Sequence, residues 1–69
     1  MYRIIYVKDV EFWALFYDFP ASDDKDAQDK VKIEISRLKQ QHGEHILILR
    51  LERVTKTSDL TERTTKIPF

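Results

Sequence analysis

His42-Gly43-Glu44-His45 is the one run in this 69-residue chain whose residue types resemble a metal site. Two imidazoles three positions apart, with a carboxylate between them, offer two or three donors. A closed zinc site needs four in a fixed frame, and nothing nearby supplies the rest. The glycine reads instead as a helix-to-strand turn, with His42 at a helix C-terminus where a positive charge suits the dipole. Carboxylate pairs occur at Asp23-Asp24 and Asp26/Asp29, the raw material of acid–base catalysis. They fall in the opening turns of a helix, where acids are expected, and nothing drives their pKa values apart. Ser22 and Ser36 have no histidine placed to activate them, and a single glycine leaves no phosphate-cradling loop. No catalytic, metal-ligating or cofactor-binding residue is assigned, and enzymatic activity is not expected.

The element that organises the chain is the amphipathic stretch Ser22 to Gly43. Ser22 reads as its N-cap after Pro20, and Asp23, Asp24 and Asp26 crowd the first turn, where unpaired N–H groups favour anions. Arg37, Lys39 and His42 suit the other end, and Gly43 can take the left-handed conformation that stops a helix. At about 100° per residue, Ala27, Val31, Ile35, Leu38 and His42 fall on one stripe. Ile33 projects on the opposite side. It reads first as a tolerated exposed apolar residue; alternatives are a docking surface, or a Val31-Ile33-Ile35 strand, which the capping signals oppose.

Composition narrows the classes. No cysteine is present, so there is no disulfide framework and no thiol chemistry. Twelve basic residues balance twelve acidic ones, whereas chains that live on nucleic acid or anionic lipid usually carry a basic excess. With 42% hydrophobic and 35% charged residues and only one glycine and two prolines, the chain reads as one compact domain, not a disordered tail. The longest apolar runs are too short to span a bilayer, and no signal-peptide layout opens the chain, so a cytoplasmic location is the expectation.

Tyr2 to Val7 and Phe12 to Phe19 are rich in β-branched and aromatic residues and flank Lys8-Asp9-Val10-Glu11, which predicts a hairpin over residues 2–19. A turn centred on Asp9-Val10 pairs Val7 with Phe12, Tyr6 with Trp13, Ile4 with Leu15 and Tyr2 with Tyr17. After the helix, placed at 22–42, residues 45–54 read as a third strand. There Leu47, Leu49 and Leu51 form the face for the helix, and Ile46, Ile48, Arg50, Glu52 and Val54 form the other. Residues 55–69 read as a short edge strand after a turn at Ser58-Asp59, or as a tail, with Pro68 ending any ladder.

The expected fold is therefore α+β: an antiparallel sheet of three or four strands, in the order ββαβ(β), with one long helix packed on one face. One helix covers only one face, and both faces of the hairpin are apolar. The uncovered face is then a patch that binds something. Tyrosine and tryptophan tolerate half-wet settings, so the ladder of Tyr2, Tyr6, Trp13 and Tyr17 is taken as the bare face, with the reverse assignment left open because bulky aromatics also fill small cores; these residues with Ile33 are the candidate partner-binding residues. Protein recognition is the leading function, with another protein or the chain's own copy in a homodimer as partner. The second class is a single-strand nucleic-acid binder that stacks bases on those aromatics, flanked by Arg3, Lys8, Arg50 and Arg53. The neutral charge and acidic helix disfavour it.

In size and strand–strand–helix–strand layout, the chain resembles small phage-encoded accessory proteins, including some anti-CRISPR inhibitors. The resemblance covers most of the chain as layout and involves no residue motif. It implies an inhibitor that occludes a surface of a larger host complex, and it transfers no functional residue.

Overall fold

A computed structural model describes residues 1–8, 13–43, 45–56 and 61–69. Strands β1 (Tyr2–Lys8) and β2 (Leu15–Phe19) precede helix α1 (Asp24–His42), and β3 (Ile46–Lys56) and β4 (Glu62–Ile67) follow it. All pairings are antiparallel and the spatial order is β2-β1-β3-β4. This is the α+β fold that the helical stripe and the β-branched runs predict, with the final segment forming an edge strand. The proposed turns at Asp9-Val10 and Ser58-Asp59, and the pairing of Phe12, lie outside the described residues.

The helix buries Ala27, Val31 and Leu38 from its predicted stripe. Their ground is the inner face of the sheet, where Ile4 and Leu51 are fully covered and Tyr2, Tyr6, Phe19 and Ile67 nearly so. Asp23, not Ser22, caps the helix, accepting the Asp26 N–H at 2.8 Å. The Ser22 N–H and hydroxyl instead donate to Asp26 Oδ2, so the expected cap sits one residue outside the helix and ties back to its first turn. Gly43 ends the helix at φ 85°, ψ 173°, a backbone region open essentially to glycine alone.

Two expectations about the sheet are corrected. In the hairpin Tyr6 faces Leu15, Ile4 faces Tyr17 and Tyr2 faces Phe19, a slip of two residues from the predicted register. Because side chains alternate with period two, that slip keeps every residue on its expected face. In β3 the error is of the other parity. Ile5 faces Arg50 but Tyr6 faces Ile48, so Leu49 is an extra residue, a bulge. Leu51 points to the helix as expected, whereas before the bulge Ile46 and Ile48 pack inward and Leu47 is exposed. One inserted residue reverses the alternation.

Candidate interaction surface on the open sheet face

The strands give every second side chain to each face, so the two sides can be read from the register. On the helix side stand Tyr2, Ile4 and Tyr6 of β1, opposite Phe19, Tyr17 and Leu15 of β2. The tyrosine ladder is therefore the covered face and not the bare one. The reason is chemical: two of these phenols, those of Tyr2 and Tyr17, have polar tips that end on carboxylates of the helix. Tyr2 donates to Asp24 Oδ1 at 2.7 Å and Tyr17 donates to Glu34 Oε2 at 2.5 Å. Arg53 closes on both oxygens of Asp24, at 2.8 and 3.0 Å, and Arg37 reaches Glu34 Oε1 at 3.2 Å. A ring that fills the core and hands its hydroxyl to an acid costs no stranded polar group.

These contacts set the protonation of the inner face. The hydrogen bond to Asp24, together with burial, pushes the Tyr2 phenol up to about 12. The same bond and the Arg53 guanidinium hold Asp24 below its ordinary value. Tyr17 is raised by its bond to Glu34. Asp26 is lowered by the Ser22 N–H and by Lys30, which lies 3.0 Å away.

Of the five candidate binding residues, Tyr2 and Tyr6 are core, and Tyr17 is half-buried beside Glu34. Trp13 is exposed just before β2, and Ile33 is exposed on the helix. The structure does not bring the five together on one surface. His42 lies with its ring centroid 5.9 Å from that of Tyr6, its Nε2 3.4 Å from the phenol oxygen. Glu44 lies outside the described residues, and among those described no three histidine or acidic groups are placed to share a metal.

The uncovered face is the side of the hairpin opposite the tyrosine ladder. Arg3 and Ile5 of β1 pair with Asp18 and Phe16 of β2, and Arg3 and Val7 pair with Glu52 and Leu47 of β3. Phe16 and Leu47 are each 62% exposed, high for side chains of their size on one sheet face. Ile5 is buried on this same face, between Phe16 and Arg50 across the strands. Towards the other end the face turns polar. Arg3 grips Asp18 with two N–H groups, at 2.7 and 3.1 Å, reaches Glu62 at 3.3 Å, and lies 5.1 Å from the Phe16 ring centroid. Arg50 pairs with Glu52 at 3.2 Å. The open face is thus an apolar end joined to an electrically balanced one. In the sequence, Phe16 looks no different from its neighbours, and only the bulge turns Leu47 outward.

Among the described residues no helix is long and apolar enough to cross a membrane. Comparison with protein-family models, with curated proteins and with solved structures finds no match to this chain.

Proposed function

We propose that this chain is a small protein-binding regulator and that it binds through the open face of its sheet. The observation that supports this is the placement of Phe16 and Leu47, both 62% exposed, on the face the helix leaves uncovered, next to Val7 and above buried Ile5. Apolar surface gathered in this way is stabilised when a partner removes it from water, by about 25 cal/mol per Å². The paired acids among the cations of the same face suit a protein better than a polyphosphate, whose affinity comes from cations free to release counterions. A base-stacking platform finds less support, because Tyr2, Tyr6 and Tyr17 face the helix. The narrower reading, an inhibitor that occludes a surface of a larger host complex, rests on size and layout and belongs to the same proposal.

The test is binding by the wild-type chain against a Phe16→Ser/Leu47→Ser variant. Both side chains are exposed, so the variant is expected to melt close to the wild type while losing its protein partner. Undiminished binding by a folded variant would place the interaction elsewhere. Steep loss of binding with added salt would favour the nucleic-acid reading.

A further inference from the structure

We infer that the occupant of the open face is a second copy of this chain, packed sheet against sheet about a two-fold axis that runs parallel to the strands between β1 and β3. The inference rests on reading the open face as a protein-binding face, and it names the partner.

One row of residues crosses all four strands. The registers place Asp18 opposite Arg3, Arg3 opposite Glu52, and Glu52 opposite Lys66, so a single line across β2-β1-β3-β4 reads negative, positive, negative, positive. Its members alternate with the helix-facing residues Tyr2, Ile4, Leu51 and Ile67, so the row lies on the open face. An alternating row of even length is antisymmetric about its midpoint, which falls between the two central strands. A two-fold axis along the strands at that midpoint keeps height along the strands and exchanges left for right. It therefore sets Arg3 over Glu52 of the second copy and Asp18 over Lys66 of the second copy, and repeats both pairs by symmetry. Every charge in the row meets its opposite.

The same operation treats the apolar end consistently. Val7 and Leu47 are paired across β1 and β3, so Val7 of each copy comes to lie over Leu47 of the other. At this height apolar surface meets apolar surface, while the row between sets Ile5 of each copy over Arg50 of the other. Sheets that pack in this aligned way stand about 10 Å apart, with strand directions within about 30°. Arg3 and Glu52 lie nearest the axis but are largely covered and already paired within the chain, with Asp18 and Glu62 and with Arg50, so the exposed outer members, Asp18 and Lys66, carry the contact between copies.

Size and net charge agree with this arrangement. A specific interface needs about 800 Å² per partner, and a molecule measuring 37 × 25 × 18 Å offers that on a broad face. With twelve cations and twelve anions, two copies approach without net repulsion.

The experiment measures solution mass by light scattering or sedimentation over a concentration series, for the wild type, Asp18→Lys, Lys66→Glu, and an equimolar mixture of the two variants. In each variant alone, like charges face one another twice, so the dimer is expected to weaken at least about tenfold. In the mixed dimer both outer pairs are again of opposite sign, so mixing two monomeric samples is expected to restore the dimer mass. Folding is checked by circular dichroism. If Asp18→Lys does not fold, Lys66→Glu, which alters an exposed side chain, must still lower the dimer affinity by itself. A wild type that stays monomeric at every concentration overturns the second-copy proposal; the open-face reading is then judged separately, by whether Phe16→Ser/Leu47→Ser loses a foreign protein. A dimer that both substitutions leave intact, or a mixture no tighter than its separate components, overturns it as well.

Discussion

The Tyr17 hydroxyl donates to Glu34 Oε2 at 2.5 Å, pinning the edge strand β2 to the middle of the helix through one phenol. Glu34 is 8% exposed, an unusual position for a carboxylate, and Tyr17 and Arg37 are what make it tolerable. Tyr17→Phe removes one of the two donors and is expected to cost about 1–2 kcal/mol. The double variant Tyr17→Phe/Glu34→Leu should recover part of that loss, because no carboxylate is then left under-satisfied. Urea unfolding of the wild type, both single variants and the double variant measures the coupling directly.

Stability should fall at both extremes of pH, for reasons that converge on Tyr2 and Asp24. The Tyr2 phenol ionises at about 12 in the fold against 10.0 unfolded, so its contribution is complete below pH 10 and is lost as pH rises towards 12. Asp24 and Asp26 are depressed, so theirs is present above 3.8 and is lost as pH falls through the lower folded values. Tyr2→Phe is expected to make the alkaline limb shallower, leaving the part that Tyr17 contributes, and also to make the acid limb shallower, since its hydrogen bond is the main cause of the low Asp24 value. Urea midpoints followed along both limbs check this; an unchanged acid limb would separate the two groups.

Deleting Leu49 should be tolerated. Ile5 already faces Arg50 and Tyr6 already faces Ile48, so removing the residue between them leaves each pair in place and turns the bulge into a regular ladder. Deleting Leu47 shortens the same run by one residue and closes the same ladder, with Leu49 taking the inward place opposite Tyr6 and Ile46 staying inward, so both deletions are expected to melt near the wild type. Thermal melts of the two deletions distinguish a removable bulge from one the fold depends on.

Gly43→Ala should cost about 1–3 kcal/mol from backbone strain alone. At φ 85° an added Cβ meets no atom within 4 Å, so there is no clash to complicate the measurement. D-Alanine at this position, reachable by chemical synthesis in a chain of 69 residues, should restore the lost stability, because the same dihedrals are ordinary extended backbone for the mirror-image residue. A D-alanine variant no more stable than the L-alanine one would show that the cost lies elsewhere.

What this sequence determined by itself is whatever depends on near neighbours. Acids before Ala27, cations before Gly43 and an apolar stripe of period 3.6 specify the helix, and β-branched runs specify the strands. The α+β class follows, since one helical stripe needs one apolar sheet face to bury it. The tertiary structure alone decided which face that is. Both faces of the hairpin are apolar, and the choice went to the one whose phenols reach Asp24 and Glu34, residues 22 and 17 positions away in the chain. It also decided the direction of Leu47, because in the unbroken apolar run Ile46–Leu49 a bulge leaves no compositional trace. Alternation is a local property, but its phase relative to the core is set by partners across the sheet. The open face and its antisymmetric row of charges therefore become visible only once the strands are paired.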